Sequence, residues 1–160
     1  MPQSVPSDHL LLEFSLLKFD EMTRIVAALG DELATRSPAL PGANTPYGIL
    51  SHCLGMMRRW SSTVNRGIEI PRDRDAEFTQ IGPVAELVAR AAGVREEFMT
   101  DVLSVDPAAA PVFVPEGREA FWAATTNGVL LHVFEELCQH LGQLEITRDI
   151  LIANAENHQP

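Results

Sequence analysis

The chain is poor in cysteine, poor in positive charge and without a long apolar run. Two cysteines, Cys53 and Cys138, stand among 160 residues. That is no framework for a disulfide-stapled fold, and both fall in helical patterns rather than loops. They are expected to be buried free thiols that pack as small apolar groups. Twelve Lys and Arg residues face twenty-two Asp and Glu, a formal net charge of -10. Nucleic acids and anionic membranes are held by a basic footprint that releases counterions, so neither is an expected partner. The apolar runs Leu10–Leu12 and Val129–Leu131 are cut by Glu13 and His132, too soon for a bilayer span or the core of a signal peptide. The expectation is a soluble cytoplasmic protein.

What is present is the composition of a globular domain: 46% hydrophobic and 21% charged residues, with no repeat at a fixed period. The length suits one compact domain, residues 1–160, with a substantial core and no room for two ordinary ones.

Four segments carry the three-and-four spacing of apolar residues that marks a buried helix face. The first runs from Ser7 to about Arg36, through Phe14, Phe19, Met22, Val26, Leu29 and Leu33, with Ser7 or Asp8 as N-cap. The loop SPALPGANTP follows, and Thr45-Pro46 reads as an N-cap and first helical position for a second helix to about Asn65. After the polar, proline-punctuated RGIEIPRDRDAEFTQIGP, a third helix spans Pro83 to about Ser104. A long connection then holds three prolines and one short extended candidate, Val112–Val114. The last helix begins at Thr125 or Thr126 and reaches about Asn154. The pattern predicts an all-α four-helix bundle, without fixing the order or handedness of its helices.

In the last segment, VLLHVFEELCQHLGQLEITRDIL, His132, Glu136 and His140 recur every four residues along the border of an apolar stripe made by Leu130, Val133, Leu137, Leu141 and Leu144. Residues four apart on a helix differ by only about 40° around the axis, so Glu136 and His140 can share a ligand. A facing helix supplies what is missing in bundle metal sites, and His52 of the second segment is the obvious candidate. Two histidines and one carboxylate form a common catalytic zinc set with an open fourth position, and the same set accepts nickel, iron or manganese. His132 stands one step along the row, where it could replace a ligand or orient the others. The competing reading is a row of hydrogen-bonded histidines at the edge of a core or on a solvated face.

Cys138 lies roughly 200° around the helix from Glu136 and His140, and Cys53 roughly 100° from His52. Neither points at the proposed site, so a reaction that needs a thiol must receive it from a small molecule. Arg58, Arg59 and Arg148 could hold a substrate carboxylate, against the ordinary alternative of solvated or ion-paired arginines. Gln143, next to the His140 turn, either meets a ligand or satisfies a buried polar group.

TPYGILSHCLGMMRRW followed far downstream by LLHVFEELCQHLGQLEITRDIL resembles the DinB-like superfamily. Within it, the chain is similar to the bundle domain of mycothiol-dependent maleylpyruvate isomerases and to mycothiol S-transferases, from the first helix to about Leu151. The resemblance implies an up-down-down-up bundle and a divalent metal, usually zinc with nickel also taken up on purification, held by His52, Glu136 and His140. Glutamate at Glu136 matches the isomerase type, where many relatives have histidine. His140, Gly142 and Gln143 match the H-x-G-Q ending of the wider family, while several mycothiol-type relatives carry histidine at Gln143. The implied function is a thiol S-transferase or isomerase that activates mycothiol or another small thiol for attack on a small-molecule electrophile, with a possible homodimer; His132, Gln143 and Arg59 are the candidate cofactor-binding residues read from the sequence itself. Two alternatives stand beside it. One is a metal-dependent hydrolase with Glu135 as base, although Glu135 lies about 100° from Glu136 on the helix. The other is a non-enzymatic bundle that binds a metal or small ligand.

Overall fold

Why the chain turns where it does is visible at its helix starts. In the computed structural model, which describes residues 9–157, Thr45 and Thr125 each accept a hydrogen bond from a backbone N–H three residues on, Gly48 at 2.9 Å and Gly128 at 3.0 Å. These caps satisfy amides that have no partner inside the helix. They open α2, Pro46–Arg58, and α5, Thr126–Glu156. The remaining elements are α1, Leu10–Ala34, the short α3, Arg74–Thr79, and α4, Val84–Leu103. Beyond Arg58, α2 continues through a π-helical turn, Arg59–Val64, so the helical course ends where the periodicity places it, near Asn65.

Val112–Val114 forms no strand, and none occurs among the described residues; the segment is tied down by one backbone bond, Phe113 N–H to the Val64 carbonyl at 3.0 Å. Ser7 and Asp8, offered as N-caps, lie outside the described residues, and the residue before α1 is His9, whose side chain makes no cap. The single long helix read for α1 is bent at Gly30, where φ is 66° and ψ 177°. That backbone region is open to glycine and costly for any other residue, so the bend is written into the sequence at that position.

Side-chain pairs fix the directions of the four long helices. Phe14 of α1 meets Phe134 of α5, and Glu32 and Leu33 share a cavity wall with Leu151 and Asn154, so α1 and α5 run parallel. Asp20 pairs with Arg95 and Asp31 accepts from the Val84 amide, so α4 is antiparallel to α1. Arg58 and Ser61 pair with Glu97 and Asp101 in the same order, so α2 and α4 run together. His52 meets His140 and Trp60 meets His132, so α2 and α5 are antiparallel. The result is an up-down-down-up four-helix bundle. Its core draws on all four long helices, including Phe19, Met22, Ile49, Leu50, Met56, Leu87, Phe98, Leu137 and Leu144, and the predicted stripe of α5 is buried throughout.

A buried carboxylate joins α2 to α4. Asp101, 4% exposed, accepts hydrogen bonds from Ser61 at 2.8 Å and Arg58 at 3.1 Å, and also from Ser62 and Arg66. The π turn carries the two consecutive serines that both reach this carboxylate. Burial pushes the Asp101 pKa up, but the hydroxyls and guanidiniums outweigh it and hold the group below the usual carboxylate range. A depressed folded-state pKa means that this stabilisation is present above the unfolded value of about 3.9 and is lost as pH falls through the folded one. Asp101→Ala is therefore expected to cost about 3–5 kcal/mol in urea unfolding at neutral pH, and to remove part of the wild-type loss of stability below about pH 4. Equal stability of wild type and variant at pH 7 would contradict this account.

Candidate metal centre

The antiparallel packing of α2 on α5 places His52 opposite the second and third members of the α5 row. One ligand atom from each of His52, Glu136 and His140 lies within 4.8 Å of the others. Glu136 Oε2 is 3.7 Å from His140 Nε2, and the His52 and His140 rings meet edge to face with centroids 4.8 Å apart. His52 is buried, while Glu136 and His140 are half-buried. The nearby His140 imidazole, opposed by burial and aided by His132, holds the Glu136 carboxyl below its ordinary pKa, so it is an anion at neutral pH.

Neither the periodicity nor the motifs revealed the element that braces His52 from behind. α3 comes from the linker read as merely polar, and it packs against α2 across two glycines. A Cβ at Gly48 would stand 2.5 Å from the Phe78 carbonyl oxygen, and one at Gly55 would stand 1.8 Å from Glu77 Oε1. With both positions bare, Phe78 stacks on the His52 ring at 4.3 Å and 20°, and Glu77 Oε2 reaches His52 Nδ1 at 3.0 Å. Arg72 closes on the same carboxylate at 2.6 and 2.8 Å. Burial raises the Glu77 pKa, but the bonds from Arg72 and His52 outweigh it and hold Glu77 ionised. The one available signal was Asp73, which caps α3 by accepting from the Ala76 amide at 3.0 Å, ahead of the acidic first turn Asp75 and Glu77.

The other residues singled out from the sequence fall in different places. His132 is adjacent to the site, its Nε2 3.9 Å from Glu136 Oε1. Its ring is stacked on Trp122 at 3.9 Å and edge-on to Trp60 at 5.1 Å. Gln143 Oε1 accepts from His140 Nδ1 at 3.0 Å. Arg59 lies over the Phe113 ring and lines a cavity of about 460 Å³ between α2, α3 and α4. That cavity is walled by Arg72 and Glu77 but by none of the three clustered residues, so it opens behind the Glu77–His52 pair. Arg58 is taken by Asp101 and Glu97, and Arg148 by Asp149. Glu135 is a solvent-facing partner of His132 at 3.4 Å, its side chain 73% exposed. Both cysteines are free, as expected. Cys53 is buried, and that burial drives its thiol pKa far up. Cys138, expected to be buried, is instead exposed, because it lies off the apolar stripe on the outer side of α5.

The donor set suits a divalent cation. With Nδ1 of each histidine hydrogen-bonded to an oxygen acceptor, Glu77 for His52 and Gln143 for His140, the Nε2 lone pairs remain for a ligand. Together with one carboxylate they form a two-histidine, one-carboxylate group of the kind that would hold a divalent ion and leave a further position open.

Fold and site together define a helical bundle with an inward-facing cluster able to hold a metal, reached from two antiparallel helices. The sequence profile of the mycothiol-S-transferase family matches residues 12–152, and the chain belongs to that family, a DinB-like one. No curated protein and no solved structure gave a significant match.

The two glycines make the docking of α3 testable. Gly48→Ala presses a methyl group on the backbone of Phe78 and is expected to cost about 1–3 kcal/mol in urea unfolding. Gly93→Ala, in an exposed stretch of α4 with nothing within 4 Å of its Cβ, is expected to gain about 0.5–1 kcal/mol. The same sign for both would contradict the tight α2–α3 contact.

Proposed function

We propose that the chain is a divalent-metal-dependent transferase that joins mycothiol, or a closely similar small thiol, to a small-molecule electrophile. The observation that carries this reading is the convergence of His52, Glu136 and His140 within 4.8 Å in a chain whose family is named for mycothiol transfer. A cation held by these three residues supplies positive charge that keeps a thiol in its nucleophilic thiolate form near neutral pH.

The chain's own side chains have separate duties in this scheme. His52, Glu136 and His140 hold the cation. His132, wedged between Trp122 and Trp60 and facing Glu136, orients the carboxylate and meets the thiol cosubstrate. Gln143 sets the His140 ring, and Arg59 on the neighbouring cavity wall serves an anionic group of a bound ligand. The sulfur–carbon bond forms as the leaving group departs with its electron pair, and the thiol proton passes to solvent. Zinc is the proposed ion and the cytoplasm the proposed compartment, in one domain over the whole chain. None of the helices among the described residues is long and apolar enough to cross a membrane.

A homodimer belongs to the same reading. Leu10, Phe14 and Leu17 of α1 and Leu131 of α5 are exposed apolar residues on two helices that meet at Phe14 and Phe134, side chains that a second copy would cover. Hydrolysis is not favoured, because its candidate base, Glu135, faces solvent.

His52→Ala, Glu136→Gln and His140→Ala are each expected to lose the roughly one zinc per chain of the untagged wild type, measured by elemental analysis after reconstitution. Full zinc in all three variants would sink the shared site. Mycothiol added to the cobalt-substituted wild type is expected to bring in a sulfur-to-cobalt absorption band. A spectrum unchanged by any small thiol would count against thiol activation.

A further inference from the structure

His52 is 3% exposed, and two groups compete for its Nδ1: Glu77 Oε2 at 3.0 Å and Arg72 Nη2 at 3.4 Å. The nitrogen cannot donate to one and accept from the other at once. Arg72 only donates, and an ionised carboxylate only accepts. Arg72 already spends Nε and Nη2 on the two oxygens of Glu77, at 2.6 and 2.8 Å, so its longer approach to the imidazole is a by-product of that fork. Nδ1 therefore carries the hydrogen and gives it to Glu77, which leaves a bare lone pair on Nε2.

The brace is built into backbone as well as side chain. Gly55 lets the Glu77 carboxylate lie against α2 where a Cβ would stand 1.8 Å from it and 3.0 Å from Arg72 Nε. Phe78, the next residue, covers the face of the same ring at 4.3 Å. One residue of α3 thus fixes the ring's hydrogen and its neighbour fixes the ring's plane. His140 has a weaker arrangement, with a neutral amide from its own helix and a half-buried ring.

We propose that Arg72 and Glu77 are positioning residues that lock His52 in the Nδ1–H tautomer and aim its Nε2 at Glu136 and His140, so that a zinc ion meets one imidazole already set. This deepens the metal reading given above and rests on it. Partners of this kind behind a ligating histidine are worth about 10–100-fold in metal affinity. Because Glu77 is charged and fixed by Arg72, its loss falls at the upper end of that range, and loss of Gln143 at the lower.

The test pairs two readouts on the full chain. Zinc affinity is measured by competition with a chelator for wild type, Glu77→Gln, Glu77→Ala, Gly55→Ala, Gln143→Ala and His52→Ala, with circular dichroism of each metal-free protein as the check on folding. The His52 tautomer is read from imidazole nitrogen shifts of the metal-free protein at alkaline pH. Expected are an Nδ1–H tautomer in wild type and a mixed or reversed one in Glu77→Ala. Zinc binding should be about 100-fold weaker in Glu77→Ala, partly restored in Glu77→Gln, whose amide oxygen still accepts, and weakened in Gly55→Ala although Glu77 is intact.

An Nε2–H tautomer in wild type would overturn the inference even if Glu77→Ala failed to fold. So would wild-type zinc affinity in folded Glu77 variants when His52→Ala has lost it. Wild-type affinity in His52→Ala would instead overturn the metal reading beneath it, while the tautomer would still decide the role of Glu77.

Discussion

A buried imidazole has two nitrogens with opposite needs, one a donor and one an acceptor, and a fold that buries it must answer both. At His52 the donor is answered by Glu77 at 3.0 Å, and the acceptor faces a carboxylate and a second imidazole on α5. Much else follows from that requirement. Glu77 must be ionised, which brings Arg72 against it; the pair must fit beside α2, which requires Gly55; and the linker after α2 must fold back far enough to form α3.

The up-down-down-up course explains why the cluster can be shared. Antiparallel α2 and α5 cross residues 52 and 140, and again 60 and 132, so one face of α5 reads against one face of α2 along two turns. Parallel α2 and α4 are joined instead through Asp101, whose buried charge is neutralised by Arg58 and Arg66 and bonded by Ser61 and Ser62. That network takes Arg58 out of service as a ligand-binding residue and holds the far end of α2 in place. Cys53 is enclosed in the core and Cys138 faces outward, and neither belongs to the cluster of His52, Glu136 and His140.

Most of the framework is legible in the sequence. The four long helices begin and end close to where periodicity and caps place them, because each buries a stripe and two carry a threonine cap. His52, Glu136 and His140 were legible as a group through the four-residue spacing on α5 and the family resemblance. The Gly30 bend was hidden because a lone glycine in a periodic stretch does not announce its φ. α3 was hidden because six residues are too few to show a period, and because Glu77 and Arg72 look like ordinary solvated charges until tertiary packing brings them to His52. Exposure at Cys138 was missed for a related reason: its helix is buried on one face only, and its neighbours Leu137 and Leu141 define that face.

The most direct test is X-ray absorption on the zinc-loaded protein, with and without mycothiol. The account predicts two imidazoles and an oxygen donor at about 2.0–2.1 Å without thiol, and one added sulfur at about 2.3 Å when mycothiol is present. Sulfur scattering before any thiol is added, or none after saturation with it, would contradict a two-histidine, one-carboxylate centre that receives its nucleophile from outside.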